Sequence, residues 1–166
     1  MSDRISASVR SAIMSRIRGK NTTPERYMFA AMRAAGWRFT EHPKNVTGRP
    51  DAVLRPSKIA IFIDGDFWHG YRFPQWKACI PQRWQDKIEG NRKRDQRVRR
   101  QLRRQGWKVV RLWEHQIERD ILNCLYRIQS AAELPHFDEC RVRKRMAALP
   151  PLKHRNRLPR PRKEDR

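Results

Sequence analysis

The run Ile59-Ala60-Ile61-Phe62-Ile63 constrains the fold more than any other stretch of the chain. It is almost continuously apolar, as expected of a strand buried on both faces, and such a strand belongs in a sheet with helices packed against it. The surrounding sequence supplies the partners. Thr22-Thr23-Pro24-Glu25 reads as a helix start: a hydroxyl cap, a proline in the first turn, then an acid near the positive end. Met28, Phe29, Met32 and Ala35 follow at helical spacing until Gly36. Trp37–Thr40 is a short strand candidate. Asp51–Leu54 is a further strand, joined to the apolar run by the turn Arg55-Pro56-Ser57-Lys58. Residues 70–82, with Pro74 and Pro81, read as an irregular loop. A long helix is expected from about Trp84 to Arg104, then Gly106, a strand Trp107–Trp113, and a final helix from about Gln116 to Gln129. The fold class is therefore α/β, a central mixed sheet flanked by helices.

Charge decides the class of partner. The 166 residues carry 39 Lys or Arg against 17 Asp or Glu, a formal net charge of +22, together with six tryptophans. A pI near 11.4 with that many large aromatics points to a polyphosphate ligand. Residues 141–166 hold 11 Lys or Arg against Glu164 and Asp165, and four prolines, so they read as a disordered basic tail behind a domain of residues 1–140. The preceding residues remain strongly basic without it. No apolar run approaches the ~18 residues of a membrane span, and residues 1–20 lack a signal peptide's apolar centre. Cys79, Cys124 and Cys140 are too few and odd in number for a disulfide framework, and no pair has metal-knuckle spacing. A cytoplasmic, nucleoid-associated protein is the expectation.

Three constellations carry chemistry. Gly48-Arg49-Pro50-Asp51 delivers a carboxylate at a strand start. A hairpin would set it beside Asp64, an arrangement of hard oxygen donors that suits Mg²⁺. The plain alternative is a turn aspartate after proline. Asp64-Gly65-Asp66-Phe67-Trp68-His69-Gly70 packs acids, aromatics and a histidine directly after the buried strand. Exposed Phe67 and Trp68 could wedge between base pairs, and His69 could take a proton from water; the alternative has the aromatics in the core and His69 hydrogen-bonded in a turn. The third is the helix stripe Trp84, Ile88, Asn91, Asp95, Val98, Leu102, spaced 4, 3, 4, 3 and 4. Asp95 on that inward face implies either a site or an ion pair with an arginine.

Together with Gly106-Trp107-Lys108-Val109-Val110 and Trp113-Glu114, these motifs make the chain resemble the very-short-patch repair (Vsr) DNA mismatch endonucleases over roughly residues 8–130. The resemblance implies a PD-(D/E)xK-like restriction-endonuclease core that nicks one strand beside a T·G mismatch with Mg²⁺. It makes Asp51 the central metal ligand beside the backbone carbonyl of Ile63. His69 becomes the activator of water, and Glu25 a hydrogen-bonding member of the cluster. Glu25, Asp51, His69 and Asp95 complete the acid and histidine set of related homing-type nucleases. Phe67, Trp68 and Trp84 become intercalating aromatics, with Asn91 and Arg94 as DNA contacts.

Two departures stand out. Positions where family members hold a structural zinc are Asp66, Tyr71, Phe73 and His115 here, and one histidine cannot satisfy a four-ligand zinc site. No zinc is expected, and the loop around Pro74–Pro81 must be held by packing of Tyr71, Phe73 and Trp76. Asp64 stands where the family has a histidine and is expected to add a direct carboxylate ligand.

The leading reading is a monomeric Mg²⁺-dependent nicking endonuclease of mismatch repair, with mismatch-repair proteins as further partners. A related nicking enzyme without mismatch preference, and a non-cleaving DNA-binding module with a nuclease fold, are the alternatives. Carboxylates facing phosphate would only weaken a pure binder.

Overall fold

The computed structural model describes residues 21–152. Helix α1 spans Thr23–Ala34, with Thr22 as its cap and Pro24 in its first turn. Its apolar stripe buries Met28, Phe29 and Met32 completely or nearly so. Strands β1 (Thr40–Glu41), β2 (Ala52–Leu54), β3 (Ile59–Asp64) and β4 (Lys108–Trp113) form one sheet in the order β1-β2-β3-β4. β2 and β3 pair antiparallel through the expected tight turn, closed by the Lys58 amide donating to the Arg55 carbonyl at 3.1 Å. β3 and β4 pair parallel, with Asp64 opposite Trp113. A parallel pair needs a crossover, which helix α2 (Gln82–Arg104) supplies.

Side chains alternate across a strand, and the two apolar clusters follow that alternation. Ala52, Leu54, Ile59, Ile61, Ile63, Val110 and Leu112 face α1, α3 (Glu114–Arg119), α4 (Ile121–Ala132) and α5 (Glu139–Ala147). Val53, Ala60, Phe62 and Val109 face the other way, onto Val98 and Leu102 of α2. The sheet is thus sandwiched between helices, as the two-sided apolar run of β3 requires. Among the described residues no helix is long and apolar enough to cross a membrane.

Three expectations need correction. The short strand pairs only over Thr40–Glu41, while Trp37 turns into the core. The helix expected over Gln116–Gln129 is two helices, because Asp120 breaks out of helical geometry (φ −155°, ψ 85°) and caps the second by accepting from the Asn123 amide at 3.0 Å. The tail expected from residue 141 is not what residues 141–152 form. α5 is capped by Asp138 and buries Val142 fully, with Met146 and Leu152 also packed on the core. Averaged composition hid a helix whose few apolar residues share one face. Residues 153–166 of the expected tail lie outside the described residues.

Candidate active site

Asp51 is held by backbone on both sides. Gly48 precedes it at φ +77°, and a β-carbon there would lie 2.0 Å from Val98 Cγ1, so only glycine lets this loop press against α2. The Asp51 amide donates to Ile61 O at 2.9 Å, and its Oδ2 accepts from the Ile63 amide at 2.6 Å. The Ile63 peptide therefore lies against the carboxylate through its N–H.

Glu25 reaches the same place from the first turn of α1. Its carboxylate accepts from the Asn21 amide at 2.8 Å and from the Thr22 hydroxyl at 2.7 Å, a capping arrangement that also fixes its position. His42 completes the group. Its amide donates to Asp51 O at 2.8 Å, and its Nε2 stands 3.4 Å from Glu25 Oε2. Glu25, His42 and Asp51 each offer a ligand atom, and these atoms lie within 4.8 Å of one another. Burial pushes the Asp51 carboxyl up to about 7, reinforced by the anions of Glu25 and Asp64; the Ile63 N–H and His69 act the other way without cancelling it.

His69 lies beside this group, in a loop braced from α2. The His69 amide donates to Gly65 O at 3.1 Å, and Asn91 Nδ2 donates to Trp68 O at 3.0 Å. Nδ1 of His69 is 2.7 Å from Asp95 Oδ2 and 3.2 Å from Asp64 Oδ1. Arg111 in β4 ties the two acids together: its Nε donates to Asp64 Oδ2, and its Nη2 lies 3.5 Å from Asp95 Oδ2. Burial alone would lower the His69 pKa, but the Asp95 hydrogen bond and the Asp64 and Asp95 charges outweigh it and hold it above the usual histidine range. Burial likewise acts to raise Asp95, yet His69 and Arg111 keep that carboxyl below its usual range.

The predicted residues thus fall into two adjoining groups. Asp51 and Glu25 meet in the first, and His69, Asp64 and Asp95 in the second. Asp64 does not join the Glu25–His42–Asp51 group, because its oxygens are engaged by His69 and Arg111. Asn91 braces the His69 loop, since the inward helix face on which it lies meets that loop. Arg94 remains more than half exposed, with Nη2 3.6 Å from Asp95 Oδ1.

Phe67, Trp68 and Trp84 are half-buried rather than exposed. Phe67 stacks on Trp76 at 5.5 Å and meets Trp68 edge-on at 5.1 Å, while Trp68 and Trp84 are 5.4 Å apart. The Lys87 ammonium caps both tryptophan rings. Of the residues expected to hold the supporting loop, Phe73 and Trp76 form a buried cluster with Ile88, while Tyr71 packs instead on Trp113 and His115. At the remaining departure positions, His115 Nδ1 lies 2.7 Å from Asp66 Oδ1, and the Tyr71 ring packs 4.3 Å from the His115 ring.

Sequence reasoning missed His42 and Arg111. His42 carries no spacing signal, because a lone histidine between a two-residue strand and Pro43 belongs to no repeat. Arg111 does carry one: an arginine amid Val109-Val110 and Leu112-Trp113 is a charge inside a strand and demands a partner.

Residues 2–75 match the family described as DNA mismatch endonuclease Vsr. The type II nicking enzyme V.XorIIP of Xanthomonas oryzae is 38% identical over 116 residues, covering 69% of this chain and 85% of that protein. The type II nicking enzyme V.NmeDIP of Neisseria meningitidis serogroup C is 34% identical over 132 residues, 78% of this chain and 89% of its own. The DNA mismatch endonuclease Vsr of Escherichia coli K12 is 31% identical over 116 residues, 69% of this chain and 74% of its own.

Proposed function

The chain belongs to the Vsr family of DNA endonucleases, and from that premise we propose that it nicks one strand of duplex DNA beside a T·G mismatch, with Mg²⁺ as cofactor. The observation that carries this reading is the convergence of Asp51 with Glu25 and His42 next to the His69–Asp95 pair. Phosphodiester hydrolysis needs charge relief at the phosphate and an activated water. The donor set fits a divalent cation. Two close carboxylates, one of them with a pKa near 7 in the absence of a cation, form an anionic site that a cation would relieve. Asp51, Glu25 and His42 would hold it, with the Ile63 carbonyl as a further donor, and when bound it supplies charge stabilisation at the phosphate.

The protein's own residues account for the rest. His69, with Nδ1 engaged by Asp95, accepts the proton of water at Nε2. Asp95 orients the ring and favours the imidazolium that forms. Phe67, Trp68 and Trp84 enter the stack beside the lesion, where unstacking is least costly. The exposed basic residues of α2, with the Lys and Arg residues in 153–166, supply a sequence-independent grip. The enzyme acts as a monomer in the cytoplasm, at the nucleoid.

The test is nicking of a T·G duplex and its T·A counterpart, each with and without Mg²⁺. Mg²⁺-dependent single-strand cleavage of the mismatched duplex is expected. Binding without cleavage under all conditions would overturn the reading in favour of a binding module, and equal cleavage of both duplexes would remove the mismatch preference.

A further inference from the structure

We propose that Arg111 is a positioning residue of the nicking reaction, whose guanidinium bridges Asp64 and Asp95 and so fixes His69 with Nδ1 as the donor and Nε2 toward the substrate. The proposal rests on the functional reading above and adds to it a residue in none of the sequence motifs.

Arg111 belongs to the sheet and not to a loop. It lies mid-strand in β4, between the buried Val110 and Leu112, with only 21% of its side chain exposed. A charge held there costs free energy unless it is paired. Strand alternation turns it to the α2 side of the sheet, the side of Asp64 and Trp113. Its partner in the β3–β4 register is Phe62, two residues before Asp64. The guanidinium lies over the Trp113 ring, with Cζ 4.2 Å from the centroid, which holds its plane. The strand itself is pinned at this residue, because Arg127 Nη2 donates to the Arg111 carbonyl at 2.7 Å.

Nδ1 of His69 carries one hydrogen at most, yet two carboxylates approach it, Asp95 Oδ2 at 2.7 Å and Asp64 Oδ1 at 3.2 Å. Asp64 is 5% exposed and cannot turn to water. A second donor must satisfy it, and beside His69 itself it is Arg111 that touches both acids. Arg94 reaches only Asp95, on its other oxygen. Arg99 is near enough to feel both acids and Arg111 but forms no bridge between the acids. The planar fork suits this bridge, since Nε and Nη2 leave in fixed directions, whereas an ammonium is a single point. With both acids held, the imidazole has one favourable orientation. Without the bridge, Asp64 and Asp95 compete for the ring, and the ring nitrogen that carries the proton is no longer fixed.

The experiment uses the full chain and five proteins: wild type, Arg111→Met, Arg111→Lys, Asp64→Asn, and the double variant Arg111→Met/Asp64→Asn. Two readouts are taken, the single-turnover nicking rate at saturating T·G duplex and the ¹⁵N shifts of the His69 ring in free protein at a pH high enough that the ring is neutral. Arg111→Met should slow nicking by about 100-fold, the usual scale for a misplaced catalytic group, while duplex affinity changes less than about threefold. Its His69 shifts should move from a protonated Nδ1 toward a mixture of tautomers. Arg111→Lys should recover about tenfold of the rate, and the double variant should be no slower than the slower single variant, because the two residues act as one unit.

A rate within about threefold of wild type for Arg111→Met would overturn the proposal, as would an unchanged His69 signature or additive losses in the double variant. If thermal melting shows Arg111→Met unfolded, Arg111→Lys and Asp64→Asn carry the same comparison, and each should lose rate together with a shifted His69 signature. Failure of the functional reading looks different. Wild type would then leave the T·G duplex uncut, while the His69 comparison in free protein would still stand.

Discussion

At the residue scale, Asp51 shows what burying a carboxyl does to its proton. Its pKa near 7 lies well above the ordinary ~3.9 of an unfolded-chain aspartate, so the folded state holds its proton more tightly than the unfolded one. Whatever stability that proton gives is present below pH ~4 and is lost as the pH rises through about 7. Asp51→Asn should therefore raise the melting temperature of metal-free protein at pH 8, leave it nearly unchanged at pH 4, and abolish nicking. Calorimetry at the two pH values with a nicking assay checks it, and a variant less stable at pH 8 would contradict the burial argument. His69 has a raised pKa too, and it must be neutral to accept a proton. Nicking should rise with pH through and beyond the usual histidine range, and Asp95→Asn should move that rise to lower pH. His69→Ala should cost roughly 10²–10⁴-fold in rate, the usual worth of general acid–base catalysis. A pH profile that Asp95→Asn leaves in place would break the link between the two residues.

At the element scale, the loop after β3 and helix α2 act together. The loop sets the Phe67–Trp68 cluster beside His69, α2 braces it through Asn91, and Gly70 (φ +65°) leaves no room for a side chain against Arg92 and Ile88. Because Phe67 and Trp68 rest half-buried against Trp76 and Trp84, entering DNA means leaving those contacts. That raises the cost of inserting into a sound duplex and favours a step already weakened. Trp68→Ala should reduce nicking of T·G duplex far more than it reduces binding to undamaged DNA. Equal losses on matched and mismatched duplexes would instead favour a nuclease that reads something other than a mismatch. α5 belongs to the body by the same kind of argument. A chain cut after residue 138 exposes the pocket filled by Val142, and should melt at markedly lower temperature or fail to fold. A chain cut after residue 152 should melt like the full protein.

At the scale of the whole molecule, the net charge of +22 is a property of the surface and not of the site, which is built from acids and histidines. Such a field gathers duplex without regard to sequence, so under the proposed function selection would fall to the aromatic cluster and the Glu25–His42–Asp51 group. Removing residues 153–166 should weaken binding to every duplex and flatten the dependence of log K on log salt, while the ratio of mismatched to matched nicking stays the same. A changed ratio with an unchanged salt slope would place selectivity in that segment.

Much of this was legible in the chain, for stated reasons. The apolar run of β3 demanded helices on both faces, and Thr22-Thr23-Pro24-Glu25 and Gly48-Arg49-Pro50-Asp51 announced a cap and a strand entry through local backbone chemistry. The helix stripe placed Asn91 and Asp95 inward because 3.6-residue periodicity is a local property. Asp51, His69 and Glu25 could be singled out because they sit in motifs. What local patterns could not hold was distance across the fold. His42 joins Glu25 and Asp51 only because β1 pairs with β2, and Arg111 bridges Asp64 and Asp95 only because β4 lies parallel to β3. The break at Asp120 and the docking of α5 were likewise decided by what each segment could bury. Sequence determined which residues could do the chemistry; the tertiary structure determined which of them meet, because contacts between distant segments depend on how the whole chain packs.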